Sequence, residues 1–186
     1  MSDLFLALLH HPVLDKNGQI VTTAVTNMDI HDIARSARTF GVRRFFVVTP
    51  VRALRVLAEK IIEHWEVGFG STYNLTRKDA LSLVAIESDL DAVLIAIERE
   101  TGRRPTLVVT SARAGGSRMC CTALRAALEA NSTPYLLVLG TGWGLAPEMI
   151  ERADIYLEAL TGVSDYNHLS VRAAAAIMLD RLRGPR

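Results

Sequence analysis

The chain alternates short apolar runs with amphipathic segments of helical period along its whole length, and that alternation constrains it more than any other feature. Residues 4–9, 44–49, 81–86, 106–110, 136–139 and 154–160 read as strands. Helical period occupies 30–40, 51–65, 90–100, 119–130, 147–153 and 172–182. Residues 136–139 are apolar without a break, as in a strand covered on both faces. Strands that alternate with helices predict an α/β fold: a mostly parallel sheet flanked by helices. No internal repeat, low-complexity segment or linker interrupts the pattern, so residues 1–186 read as one domain large enough for a full core.

Local signals punctuate the elements. Asn17-Gly18 is a turn signal, and residues 19–26 read as extended or loop. Asp29 is placed to cap the helix over 30–40, whose inward face is Ile30, Ile33, Ala34 and Ala37. Residues 68–76 read as a loop. Gly102 stops the helix before it, and Pro147 suits a first helical turn. Asp165 or Asn167 is placed to cap the last helix, whose Ala173-Ala-Ala-Ala176 lets another backbone come close. Trp65 and Trp143 read as core packing. The adjacent Cys120 and Cys121 suit neither a disulfide nor a metal site and read as buried and inert.

Composition excludes some classes. Of 186 residues, 49% are hydrophobic and 22% charged, ordinary for a globular domain. No apolar run is long enough to span a membrane. Residues 1–11 read as a first strand rather than a signal peptide. With its cysteine usage this places the chain in a reducing cytoplasm. A net charge of +1 argues against a strongly basic free-standing nucleic-acid binder. Yet six arginines and no acidic residue lie between Arg35 and Arg55, a local basic patch.

The chemistry concentrates in the last third. Leu139-Gly-Thr-Gly-Trp-Gly-Leu145 follows a strand, and its glycines let the backbone turn and approach a ligand. It is not a dinucleotide fingerprint: Leu145 stands where the third glycine is required, and the loop comes late. A polar loop, Thr161-Gly-Val-Ser-Asp-Tyr-Asn-His-Leu-Ser-Val171, follows the next strand. In an open α/β sheet such loops form the ligand-binding edge.

The glycine loop, followed by Tyr166-Asn-His-Leu-Ser-Val-Arg-Ala-Ala-Ala-Ala-Ile177, resembles the second and third motifs of SPOUT RNA methyltransferases, and the similarity runs over essentially the whole chain. The detailed resemblance is to a small bacterial SPOUT group of S-adenosylmethionine-dependent RNA methyltransferases. Asn27-Met-Asp-Ile-His-Asp-Ile-Ala-Arg-Ser-Ala-Arg-Thr-Phe-Gly-Val42 resembles the first motif of the SpoU branch. Arg35 stands at the functional arginine, and Asn27 or Asp29 near the asparagine.

The resemblance implies a deep C-terminal trefoil knot over about 106–183. It implies S-adenosylmethionine (SAM) as cofactor, held by three loops. The residues carried over are Thr110 and Ser111 from loop 110–115; Leu139, Gly140, Thr141, Gly142, Gly144 and Leu145; and Leu160, Gly162, Tyr166, Asn167 and Leu169. It implies catalytic roles among Arg35, Asp165, Asn167 and His168, and RNA contact by Arg35 and Arg38. His168 stands where the SpoU branch has Asn, which leaves a ribose 2′-oxygen and a base nitrogen both open as methyl acceptors. The implied partners are RNA (tRNA or rRNA), a second copy joined through the knot region, and an accessory protein, with no metal and no membrane. The competing reading is a non-catalytic or partner-dependent RNA-binding module that keeps the knot and the cofactor pocket.

Overall fold

The computed structural model describes residues 1–113 and 115–185, leaving aside the side chain of Ser71. Ala114, inside the first expected cofactor loop, and Arg186 lie outside the described residues. The order is β1 (Leu4–Leu9), β2 (Val13–Leu14), β3 (Ile20–Val21), α1 (Asn27–Thr39), β4 (Arg44–Val48), α2 (Arg52–Glu66), α3 (Gly70–Tyr73), α4 (Leu75–Leu81), β5 (Val84–Glu87) and α5 (Leu90–Thr101). Then come β6 (Thr106–Thr110), α6 (Cys121–Ala130), β7 (Tyr135–Gly140), α7 (Pro147–Glu151), β8 (Ile155–Leu157) and α8 (Val171–Arg183).

The main sheet runs β5-β4-β1-β7-β6-β8, and its paired strands are parallel. Strand β1 shows why it is two-sided. Leu4, Leu6 and Leu8 pack with α1, α6 and α8, while Phe5, Ala7 and Leu9 pack with α5 and α7. Side chains alternate across a strand, so six consecutive apolar residues serve both faces. The predicted parallel sheet with helices on both faces is the fold observed.

Beyond β1 the chain steps outward through β4 to β5. It then crosses to β6, and β7 enters between β6 and β1. Strand order therefore reverses beside β1, where doubly wound sheets open a crevice at their carboxyl edge. Residues 10–26 arch over that edge. Their tip is the predicted Asn17-Gly18 turn: the Asp15 carboxylate accepts from the N–H groups of Asn17 and Gln19, each at 2.8 Å, and β2 pairs with β3. The arch is tied to the glycine loop by Leu14 N–H to Gly144 O and Trp143 N–H to Leu14 O, both 2.9 Å. Gly142 has φ +60, and a Cβ there would stand 2.9 Å from Leu14 O, so only glycine fits under the arch.

Several local expectations are corrected. Thr26, not Asp29, caps α1: its backbone is extended and its side chain accepts from Asp29 N–H at 3.2 Å. Asp29 thereby enters the first turn, where a carboxylate is favoured by the helix dipole. Neither Asp165 nor Asn167 caps α8. Ser170 does, accepting from Ala173 N–H at 3.2 Å. Residues 68–76 are not a loop throughout, because α3 and α4 occupy much of them, and α4 is capped by Asn74. Strand β5 consequently begins at Val84 rather than residue 81.

Trp143 is 56% exposed rather than part of the core. Trp65 packs against the core's edge, with the Arg77 guanidinium 4.7 Å above its ring. Cys121 is buried and its thiol is pushed up to about 11 by burial and the nearby Glu158 carboxylate, which keeps it protonated and unreactive. Cys120 is exposed, since it lies at the N-cap of α6. No helix among the described residues is long and apolar enough to cross a membrane.

Replacing the Thr26 cap tests the corrected helix start. Thr26→Ala is expected to destabilise the protein by about 1 kcal/mol, read as a lower urea midpoint at unchanged slope.

Candidate active site

Four carboxyl-edge segments enclose one cavity of about 960 Å³. The arch after β1 contributes Lys16, Thr23 and Thr26, with Asp29 behind them. The loop after β6 contributes Thr110, Ser111 and Arg113; the glycine loop after β7 contributes Leu139 to Gly144; and the polar loop after β8 contributes Leu160 and Asp165 to Ser170, except Tyr166. Ala174 and Met178 of α8 close one wall.

The structure thus brings together most of the residues singled out from the sequence. Thr110, Ser111, Leu139, Gly140, Thr141, Gly142, Gly144, Leu160, Asn167 and Leu169 line the cavity, as do Asp165 and His168. Leu145, Gly162 and Tyr166 do not. Leu145 is buried beneath the glycine loop, bridging to Val13. Tyr166 is exposed and meets the His168 ring edge-on at 5.2 Å, while Trp143 meets that ring from another side at 6.4 Å. Arg35 and Arg38 are exposed on α1 away from the cavity, and Arg38 bonds the Asp79 carboxylate at 2.8 Å.

Polar contacts fix the walls. Thr141 Oγ1 donates to Leu9 O at 3.2 Å and pairs with Thr23 Oγ1, locking the glycine loop to β1 and the arch. Asn167 Nδ2 donates to Ala112 O at 3.3 Å, joining the polar loop to the loop after β6. Thr110 Oγ1 is buried on the cavity wall and has no partner among the described residues. A buried hydroxyl so placed offers a ligand a hydrogen bond that the protein does not use.

One ion pair was not anticipated. Asp29 is only 8% exposed, and its Oδ1 accepts from Arg172 Nη1 at 3.1 Å. Arg172 Nε also lies 3.6 Å from Asp32 Oδ2. Sequence reasoning did not single out Lys16 or Arg172, and it placed Asp29 only near a motif asparagine and Arg113 only within loop 110–115. The usable signal was the long connection between β1 and α1, since long irregular loops at a ligand edge tend to be functional.

A parallel sheet in which β7 enters beside β1, with a glycine loop at the reversal and a C-terminal helix packed back on α1 and α6, fits the SPOUT-type domain expected from the sequence. Comparison with known proteins agrees. Residues 3–184 match the sequence model of a family described as SAM-dependent RNA methyltransferase. An uncharacterized protein of Aquifex aeolicus is 42% identical over 180 residues, covering 97% of this chain and 88% of that one. A tRNA (guanine-N(1)-)-methyltransferase of Nitratidesulfovibrio vulgaris is 45% identical over 182 residues, 98% of this chain but 42% of that protein. Among solved structures, the SpoU methyltransferase AviRb of Streptomyces viridochromogenes, in complex with AdoMet, has a TM-score of 0.59 at 18% identity, over 98% of this chain and 57% of that one. The chain belongs to the SAM-dependent RNA methyltransferase family. A deep trefoil knot is the expected chain path for this fold.

Two buried histidines give the domain a pH dependence. Burial pushes the His10 imidazole below its ordinary range, against a hydrogen bond to the Val48 carbonyl that raises it. Burial, with the Arg77 charge beside it, does the same to His31. In the unfolded chain both protonate below about pH 6.5. The unfolded state then binds more protons than the folded one, so stability falls as pH drops through that window. The urea midpoint should decrease between pH 7.5 and 5.5, and by less in His10→Gln.

Proposed function

We propose that the cavity holds SAM and that this chain directs its methyl group to a nucleotide of tRNA or rRNA, at a ribose 2′-oxygen or a base nitrogen. The convergence of three loops and α8 on a single cavity carries the reading. About 960 Å³ is room for a drug-sized ligand with space to spare for an acceptor group. The residues present fit SAM. Leu139, Leu160 and Met178 offer apolar surface for an adenine ring, the glycine loop offers backbone edges, and Thr110 Oγ1 offers an unused polar group. SAM supplies a methyl group on a positively charged sulfur.

The chain's own task is to orient the acceptor in line and take up its proton. Asp165, His168 and Asp29 on the cavity wall can take up a proton, and Asn167 Oδ1 beside them can accept a hydrogen bond. Asp29 is the best fixed of them, because Arg172 holds one of its oxygens.

Arg35 supports a reacting centre shared between two copies. It lies six residues after Asp29 on α1, so its side chain is about 120° round the helix from the one that lines the cavity. In one chain it faces solvent, and it meets a reacting centre only in an assembly. Exposed Tyr166, Leu169 and Ile177 around the polar loop and α8 are apolar surface suited to that contact. Arg35 and Arg38 then provide the phosphate grip that a domain of net charge +1 otherwise lacks. An accessory RNA-binding protein is the other source of grip. With tRNA or rRNA as the proposed substrate, the enzyme's proposed place of work is the cytoplasm. The curated tRNA methyltransferase relative is more than twice as long as the matched region, so guanine N1 is one acceptor to test among several.

Calorimetric titration with SAM, followed by transfer of labelled methyl groups to bulk tRNA and rRNA, tests the reading. Wild-type protein is expected to bind. Gly142→Val is expected to lose about tenfold or more in affinity, because the φ of +60 and the contact with Leu14 O force the loop to move. Equal binding by the variant would place SAM elsewhere.

A further inference from the structure

We infer that Arg118 is the positioning residue of the first cofactor loop, and that its guanidinium keeps the loop after β6 in the shape that admits SAM. The inference rests on the cavity being the SAM site. Arg118 lies outside the cavity lining, just beyond the loop, and all three of its nitrogens are used. Nη1 donates to Ser111 O at 2.7 Å, Nε to Gly115 O at 2.8 Å, and Nη2 to Arg113 O and to the Tyr156 hydroxyl, the latter at 2.7 Å. The same guanidinium lies 4.1 Å from the centroid of the Tyr156 ring on β8.

The loop therefore curls round one cation. Planar, rigidly forked donors suit an array of converging carbonyls, which a lysine's point charge does not. Gly115 at φ +100 and Gly116 at φ +77 give the curl, and a Cβ on Gly116 would press to 2.9 Å of the Tyr156 ring. Between the Ser111 and Arg113 carbonyls, both held by Arg118, Ala112 O is held by Asn167 Nδ2. Three successive carbonyls, of Ser111, Ala112 and Arg113, are thus consumed by side chains. In a trans peptide the N–H points opposite to the carbonyl, so the clamp turns the Ala112 N–H away from Arg118. Ser111, Ala112 and Arg113 are the very residues this loop contributes to the cavity wall. Without the clamp, a glycine-containing loop would have to be ordered by the ligand itself, at a cost in affinity.

The test is calorimetric titration with SAM of wild type, Arg118→Ala and Arg118→Lys, with thermal unfolding of each protein without ligand. Arg118→Ala should bind SAM at least about tenfold more weakly while its ligand-free midpoint stays close to wild type. Arg118→Lys should fall between the two. Guanidinium chloride at a low, non-denaturing concentration should restore affinity to Arg118→Ala and leave wild type unchanged. Wild-type affinity in Arg118→Ala overturns the inference. So does weak binding that tracks a lowered ligand-free midpoint and that neither lysine nor guanidinium recovers, because Arg118 would then only hold the fold. A wild type that does not bind SAM overturns the assignment of the cavity first, and the wild-type titration alone reveals it.

Discussion

The pairing of β1 with β7 is the constraint on which the site depends. Leu4 to Leu9 align with Tyr135 to Gly140 along their full length, in parallel, in the middle of the sheet. Both strands are buried on both faces, so a one-residue slip would exchange the core sets beneath α1 and α5. Fixing this register fixes where β1 releases the arch and where β7 releases the glycine loop. The two depart side by side, and Thr141 then reaches back to Leu9 O. The cavity is therefore a consequence of sheet order, not of any one loop's sequence.

Around that constraint the loops are held mainly by each other. The arch binds the glycine loop through backbone groups of Leu14, Trp143 and Gly144. The polar loop holds the loop after β6 through Asn167, and the backbone of Met119 bonds those of Tyr156 and Glu158 to complete the edge of β8. Exposed loops hydrogen-bonded to one another order together, because each contact lowers the conformational entropy left for the next to remove. This cooperativity explains how loops of one small domain shape a large cavity.

The sheet and its helices were legible because burial on two faces leaves an unmistakable sequence: six apolar residues in β1, and again in most of β7, flanked by helical period. Site residues on the glycine and polar loops were legible through resemblance, and most of them gather, although Leu145, Gly162 and Tyr166 do not line the cavity. What escaped was long-range. Arg172 and Asp29 are 143 residues apart, and nothing local to either announces the other. Thr26 and Asp29 are both good caps, so propensity could not choose between them. The choice mattered, since it turned Asp29 from a cap into a wall of the cavity. Trp143 looked like core because large aromatics usually are, yet the arch takes the space beneath the glycine loop and turns the indole outward to His168. The short helices α3 and α4 carry too little period to be read.

The charge arrangement at α8 also has a physical logic. Arg172 lies in the first turn of a helix, where the dipole disfavours a cation. Asp29 and Asp32 of α1 compensate it, and in return Arg172 neutralises a carboxylate that burial would otherwise penalise. Removing either partner would leave the other uncompensated, so the two helices are coupled through this pair as well as through their apolar contact. Only Oδ1 of Asp29 is bonded to Arg172, and the other oxygen retains its accepting capacity beside the cavity. A carboxylate so held keeps its direction. It can meet a polar N–H or O–H without first reorganising, which is the form of preorganisation that low-dielectric sites reward most.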